Sequence, residues 1–256
     1  MEKVKKIIKG LTPYGIVRLY QMRKSGRTDL EKILKNLQGK MCVVEGEGIN
    51  SIIDVGASDG RWSLEVMEIF PVARYFLIEA NHYHKDNLDK FVNKHKNTEY
   101  IMAAAGDRVG NVYFDDSDPF GGIAMDEKIN ADLIQIQETT IDYCVKDKKL
   151  KGPFLIKLDV HGFEVPIIKG ALETLKETEI IVMEAYNFQI AKDSLLFHEM
   201  CEYMKEKGFR VAGIIDVSYR PKDYALWQMD LIFVKSTREE FLDNTYRCLK
   251  TNQIIK

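Results

Sequence analysis

The sequence has no apolar run near the roughly 20 residues that a bilayer-spanning helix needs, so we do not expect a transmembrane protein. Its four cysteines are widely spaced and form no CxxC pair, which argues against a zinc site or a disulfide framework. The patterns GxGxxG and GxxxxGK[ST] are also missing, which disfavours dinucleotide binding and excludes a P-loop. Unpaired cysteines suit a reducing compartment, and we expect the protein in the cytoplasm.

Charge is unevenly distributed along the 256 residues. Residues 1–40 contain eleven Lys or Arg against three Asp or Glu, and the remainder is acidic. We predict a basic helical arm at 1–40, a catalytic domain at 41–236 and a C-terminal tail at 237–256. Three interpretations of the arm remain open: a solvated appendage, a contact in a homo-oligomer, or peripheral contact with the anionic inner membrane surface. The acidic body disfavours a nucleic-acid partner.

Apolar segments alternate with helical patterns in units of about 30 residues, which predicts a doubly wound parallel sheet. The last two apolar segments have no obvious helix between them, so we expect an antiparallel hairpin at one sheet edge. We expect residues 108–137 to be irregular, with a short hairpin around 111–116. His82, His84 and His95 fall in a polar helix and are predicted to be solvated. The predicted strands are 51–56, 73–80, 99–107, 153–160, 179–186, 209–216 and 228–236.

Carboxylates stand at or beside most of the predicted strand ends, which is where an open α/β sheet binds its ligand. Asp54, Glu79 and Asp159 are three of them. Gly56 and Gly60 follow the first strand with GxxxG spacing and permit a sharp turn there. Glu79 comes about 20 residues past this loop, where an acid can accept both hydroxyls of a ribose. This combination favours S-adenosylmethionine over NAD as the ligand.

Between about residues 50 and 185 the chain contains seven motif segments: IIDVGASDG, FLIEAN, AAAGD, GNVYF, ETTIDYC, IKLDVHGFEVPIIKGA and IIVMEAYN. Together they resemble the FkbM-type S-adenosylmethionine-dependent methyltransferases. The most specific is the LDVHGFE stretch, because it lies at the family's distance from the glycine loop and precedes a helix ending in KGA. The family commonly has Glu where this chain has His161, so the role of that position does not carry over.

This resemblance implies an α/β fold of the class I methyltransferase type. That fold is a Rossmann-like doubly wound sheet, mostly parallel with an antiparallel last strand, here with a short N-terminal helical arm. It also implies roles for individual residues. Those expected to bind the cofactor are Asp54, Gly56, Ala57 and Gly60 on the methionine side, Glu79, Ala80 and Asn81 at the ribose, Asp107 near the adenine, and Asp159 beside the methyl donor.

The family usually methylates a hydroxyl of a small molecule, sugar or glycan, and such a hydroxyl is a poor nucleophile at neutral pH. Two schemes for activating it remain open, beside a third in which neither applies. In the first, His161 acts as the general base with Asp159 next to it. In the second, oxygen atoms of Asp159, Glu184 and Asn187 bind Mg²⁺.

We therefore expect an S-adenosylmethionine-dependent O-methyltransferase with a sugar, glycan or similar small-molecule acceptor. Two alternatives remain: a nucleic-acid methyltransferase, and a non-catalytic binding module with a degenerate methyltransferase fold. An NAD-dependent oxidoreductase is a more distant third. The missing [ND]PP[YF] motif disfavours base methylation. Aromatic residues near the later strand ends, Tyr186, Phe188, Tyr219 and Trp227, either stack on sugar faces or fill an interface.

Overall fold

The structure is a computed structural model that describes residues 27–41, 48–128 and 131–246. The strands are β1 (Ser51–Val55), β2 (Arg74–Glu79), β3 (Thr98–Met102), β4 (Ala104–Ala105), β5 (Gly110–Asp115), β6 (Ile123–Met125), β7 (Ile134–Thr139), β8 (Phe154–Leu158), β9 (Thr178–Tyr186), β10 (Phe209–Tyr219) and β11 (Leu226–Lys235). The α-helices are α1 (Arg27–Met41), α2 (Arg61–Val66), α3 (Lys85–Lys94), α4 (Ile141–Lys148), α5 (Glu164–Lys169) and α6 (Phe197–Glu206). Short 3₁₀ turns cover His82–His84, Thr174–Glu177 and Glu239–Phe241.

Seven strands form the main sheet in the order β10-β11-β9-β8-β1-β2-β3. The ladders from β9 through β8, β1 and β2 to β3 are parallel, and β11 runs antiparallel to both of its neighbours. The doubly wound sheet with a reversed last strand is therefore confirmed. The chain winds outward in both directions from the pair β1 and β8, which makes their carboxyl ends the topological switch point.

The predicted antiparallel hairpin at one sheet edge is present, with β10 at the edge and β11 between it and β9. Burial explains the order. The run Leu231–Phe233 and the following Val234 in β11 are buried without a break, as in a strand covered on both faces. In β10, buried and exposed residues alternate, which is typical of an edge strand.

A second sheet, in the order β4-β7-β5-β6, occupies the segment that the sequence predicted to be irregular. The short hairpin expected around 111–116 is present in it as β5 and β6. The predicted third strand is divided, since β3 stays in the main sheet and β4 pairs with β7 in parallel. Val112 and Phe114 of β5 alternate with more exposed neighbours and pack into the main core. This second sheet thus lies next to the carboxyl ends of the main-sheet strands.

Alternate residues of the central strands pack into two cores on opposite faces of the main sheet. Ile53 and Ile156 belong to one core, and Ile52 and Leu155 belong to the other. Such alternation follows from the two-residue period of a strand.

Helix α1 packs on the second of these cores through Leu30, Leu34 and Leu37, and Leu34 is fully buried. Of the three open interpretations of the arm, a solvated appendage does not describe α1, because an apolar stripe at helical spacing attaches this helix to the domain. Residues 1–26, on which the predicted membrane or oligomer contact mainly rests, lie outside the described residues, as do residues 247–256 of the predicted tail. Among the described residues, no helix combines the length and the apolar character needed to cross a membrane.

Candidate active site

One large cavity of about 1180 Å³ opens at the carboxyl ends of β1, β2, β8 and β9. Pockets for a single small molecule commonly measure about 300–1,000 Å³, so this one has room for two ligands side by side. One end of the cavity is formed by the loop after β1 together with Glu79, and we call it the glycine-loop end. The other contains His161, Glu184 and residues of β10 and β11, and we call it the His161 end.

Gly56 shapes the glycine-loop end. Its φ of 73° lies in the left-handed region, and a Cβ there would overlap the backbone oxygen of Asp159. The loop after β1 therefore passes directly against the end of β8. Gly60 also has a positive φ, but a Cβ there would meet the Phe91 ring, so Gly60 serves the packing of α3.

Replacing Gly56 by alanine is expected to lower the free energy of unfolding by at least about 2 kcal/mol, because strain at positive φ adds to the overlap with Asp159. Thermal unfolding measures this loss. Gly110→Ala is the matched control, since a Cβ at Gly110 meets nothing within 4 Å. If both variants unfold at the same temperature, the close approach of the loop to β8 is not a constraint.

Asp54 lies beneath this loop and is fully buried. Its Oδ2 accepts a hydrogen bond of 2.7 Å from Ser63 Oγ, and its Oδ1 lies 3.4 Å from Lys157 Nζ. Asp54 does not line the cavity. Its observed contacts join β1 to α2 and β8, so any effect of Asp54 on a ligand is indirect.

Glu79, in contrast, lines the cavity at the end of β2 and is only 7% exposed. Its two oxygens accept backbone N–H groups, Oε2 from Ser58 at 2.6 Å and Oε1 from Asn81 at 2.7 Å. Burial raises the pKa of Glu79, while these hydrogen bonds act in the opposite direction. Each carboxylate oxygen has a second acceptor site, so Glu79 can also receive two hydroxyls. Ala57, Ala80 and Asn81 line the same end.

Asp107 is exposed and does not line the cavity. It lies 3.4 Å from Arg108. The reason is the division of the third strand: β4 leaves the main sheet to pair with β7, and the chain after it turns away. The cavity wall expected from Asp107 is instead made by Ala103, Ala104 and Ala105.

Lys157 is a buried cation at the base of the cavity that sequence analysis missed. Its Nζ lies 3.2 Å from Asp159 Oδ2 and 3.4 Å from Asp54 Oδ1, and it donates to the backbone oxygen of Gly56 at 3.4 Å. A lysine within the apolar strand PFLIKLDV is the signal that could have revealed it. The Lys157 ammonium thus offsets part of the negative charge of the two carboxylates.

His161 and Glu184 meet at the other end of the cavity. His161 has φ 55°, and its Nε2 lies 3.4 Å from Oε2 of the buried Glu184. Tyr186 donates its hydroxyl to the same oxygen at 2.5 Å, and the amide of Gln228 donates to the other. Non-glycine residues with positive φ are uncommon and often belong to functional sites. Glu184 is thus fixed by two donors and in turn orients the imidazole.

The predicted magnesium site does not form as expected. Asp159, His161 and Glu184 have ligand atoms within 4.8 Å of one another, but Asn187 lies outside the cavity lining and donates its amide to Leu226. The Lys157 ammonium lies beside Asp159, and the oxygens of Glu184 already accept hydrogen bonds. These residues do not fit a Mg²⁺ ion, which prefers an octahedron of oxygen ligands.

One further feature corrects the sequence analysis. His84 is 1% exposed, so the prediction that it is solvated is wrong. The turn between β5 and β6 covers it, a contact across 35 residues that a local sequence pattern does not reveal. Glu164, at the start of α5, is also buried and accepts a hydrogen bond of 2.9 Å from the Gly162 N–H.

The sheet order with one reversed strand, and a cavity at its switch point, define a Rossmann-like fold of the class I methyltransferase type. Residues 54–211 match the model of the methyltransferase FkbM domain. The chain therefore belongs to the FkbM methyltransferase family, as the sequence motifs indicated. No curated protein matches the sequence.

Solved structures of several methyltransferases are similar to this chain at low identity. The FkbM methyltransferase from Methylobacillus flagellatus has 16% identity and a TM-score of 0.47 over 72% of this chain, which spans 43% of that protein. The precorrin-6y C5,15-methyltransferase from Geobacter metallireducens has 14% identity and a TM-score of 0.44 over 80% of this chain and 88% of its own. TrmK from M. capricolum, in complex with S-adenosylhomocysteine, has 9% identity and a TM-score of 0.41, with coverage of 78% and 67%.

Proposed function

We propose that this protein is an S-adenosylmethionine-dependent O-methyltransferase whose acceptor is a hydroxyl of a sugar, glycan or similar small molecule. One observation carries the proposal: a single cavity joins the buried Glu79 carboxylate at one end to the His161–Glu184 pair at the other. A cofactor and an acceptor can therefore lie end to end, which is the arrangement that an in-line transfer requires.

The residues at the glycine-loop end fit S-adenosylmethionine. Glu79 has acceptor capacity for both ribose hydroxyls, and the tight turn at Gly56 lets a ligand approach the backbone. When bound, the cofactor supplies an electrophilic methyl group.

The His161–Glu184 pair supplies a proton acceptor. In the neutral tautomer whose Nε2–H faces Glu184, Nδ1 carries no proton. Nδ1 can then take a proton from an acceptor hydroxyl. Glu184 then stabilises the imidazolium, since its carboxylate is held by Tyr186 and Gln228. The hydroxyl class of acceptor is supported by this base, because sugar hydroxyls need one at neutral pH.

Side chains at the His161 end favour a carbohydrate over a phosphate-rich acceptor. Tyr186 and Trp227 line the cavity with their rings edge to face at 5.9 Å, and aromatic rings suit the apolar faces of sugars. Among the described lining residues, the lysine and arginines are each paired with a carboxylate, at 2.7 Å for Arg61, 3.2 Å for Lys157 and 2.6 Å for Arg220. Paired cations are poorly suited to binding a nucleic-acid backbone.

His161→Ala is expected to reduce the rate of methyl transfer on the order of 10² to 10⁴-fold while leaving S-adenosylmethionine affinity within about twofold. The measurement is release of S-adenosylhomocysteine with a panel of oligosaccharides, glycosides, catechols and RNA, together with a calorimetric titration of the cofactor. His198→Ala is the matched control, because His198 is exposed and lies away from the cavity lining.

Turnover with RNA alone would overturn the sugar, glycan or small-molecule acceptor, and methylation of an amine would overturn the hydroxyl acceptor. An unchanged rate in His161→Ala would show that His161 is not the general base. Failure of the wild-type protein to bind S-adenosylmethionine would overturn the whole proposal.

A further inference from the structure

The turn at Asp118–Gly122, between β5 and β6, lines the glycine-loop end of the cavity opposite Ser58 and Asn81. We call it the β5–β6 turn. It connects two strands of the second sheet. Its Phe120 side chain is 39% exposed, whereas an aromatic ring that only filled a core would be buried.

Two side chains of the segment after β2 hold this turn through its backbone. His84 Nε2 lies 2.7 Å from the carbonyl oxygen of Pro119. A carbonyl only accepts, so Nε2 carries the proton and donates it. Asn81 Nδ2 donates to the carbonyl oxygen of Asp118 at 3.3 Å. The rings of His84 and Phe120 are also in contact, with centroids 5.2 Å apart.

His84 is connected in turn to the candidate ribose acceptor. Ser58 Oγ lies against the imidazole ring, 3.5 Å from Nδ1 and 3.4 Å from Nε2 of His84. Of these two nitrogens, Nδ1 is the acceptor once Nε2 is the donor. The backbone N–H of Ser58 donates to Glu79 Oε2 at 2.6 Å. A chain of polar contacts therefore runs from Pro119 through His84 and Ser58 to Glu79.

We propose that His84 is a positioning residue that fixes the β5–β6 turn over the glycine-loop end and so slows the departure of the bound cofactor. This inference rests on the proposed function, in which S-adenosylmethionine occupies that end. His84 acts through Pro119 and Ser58, since these are its polar partners. Phe120 completes the cover, with its ring between His84 and the Arg61 guanidinium, 5.5 Å from its centroid.

The test measures S-adenosylhomocysteine binding by calorimetry and its dissociation rate by stopped flow, in His84→Ala, His84→Gln and His82→Ala. His84→Ala is expected to bind about tenfold more weakly, through faster dissociation, because one hydrogen bond and its cover are lost. Glutamine can still donate an N–H to Pro119, so His84→Gln is expected to stay within about threefold of the wild type. His82 is exposed and adjacent, and its replacement is expected to change neither quantity.

Phe120→Ala keeps the test decisive if His84→Ala unfolds, because Phe120 is partly exposed. We expect it to speed dissociation about fivefold, on the basis that one aromatic cover contact is lost. Equal dissociation rates in the wild type, His84→Ala and Phe120→Ala would overturn the inference, and so would a glutamine variant as weak as the alanine variant. These results are distinguishable from failure of the proposed function, in which the wild-type protein itself binds no S-adenosylhomocysteine.

Discussion

Glu79→Ala is expected to weaken S-adenosylmethionine binding by a factor on the order of 10² to 10⁴. Glu79 is the buried carboxylate at the glycine-loop end, and its two oxygens are fixed by the N–H groups of Ser58 and Asn81. Two charge-assisted hydrogen bonds to a ribose contribute about 1.5–3 kcal/mol each, and alanine removes both. Calorimetric titration of the cofactor into each purified variant measures the change.

The matched control for this substitution is Glu99→Gln. Glu99 is an exposed carboxylate on the neighbouring β3 and pairs with Arg74 on the surface. Its replacement is expected to leave the affinity unchanged. If Glu79→Ala stays folded, as judged by its thermal unfolding, and still binds with wild-type affinity, Glu79 is not the ribose acceptor and the cofactor lies elsewhere.

Glu164→Gln is expected to raise the free energy of unfolding by about 3 kcal/mol more at pH 8 than below pH 4.5. Burial raises the pKa of Glu164 to about 7, from an ordinary value of 4.5. Below pH 4.5 the carboxyl is protonated in both the folded and unfolded states and has no effect. As the pH rises towards 7, the unfolded state ionises first, so the wild type loses stability across that window. Above pH 7 the carboxyl is ionised in the folded state as well, and the loss of stability reaches its full value.

Urea unfolding of the wild type and variant at several pH values measures this difference. Glutamine keeps an oxygen that can accept the Gly162 N–H, so the local hydrogen bond is retained. Glu206→Gln is the control, because Glu206 is exposed on α6. A stability difference between Glu164→Gln and the wild type that does not vary with pH would show that Glu164 titrates normally.

Much of the fold follows from local patterns. The buried strands β1, β2, β8 and β9 are short apolar runs that end in or near a carboxylate, and their two-residue period assigns alternate side chains to opposite faces. The position of β11 was not predictable in this way, because strand order depends on pairing between distant segments. The second sheet was missed apart from the hairpin around 111–116, since β4 and β6 contain only two and three residues and give no periodic signal.

The candidate site shows the same division. Strand ends placed Glu79, Asp159, His161 and Glu184 at one edge of the sheet, and the structure brings all four to one cavity. The pattern could not distinguish Asp54, which faces inward to Ser63 and Lys157, from residues that line the cavity.

The sequence by itself determined the parallel sheet, the glycine turn and the carboxylates at the strand ends, because each depends on neighbouring residues. Only the tertiary structure decided that Lys157 meets Asp54 and Gly56, that Glu184 orients His161, and that a turn of the second sheet buries His84. Lys157 and Gly56 are 101 residues apart, and His84 and Pro119 are 35 apart. Such contacts form when separate segments pack together, and no local period along the chain encodes them.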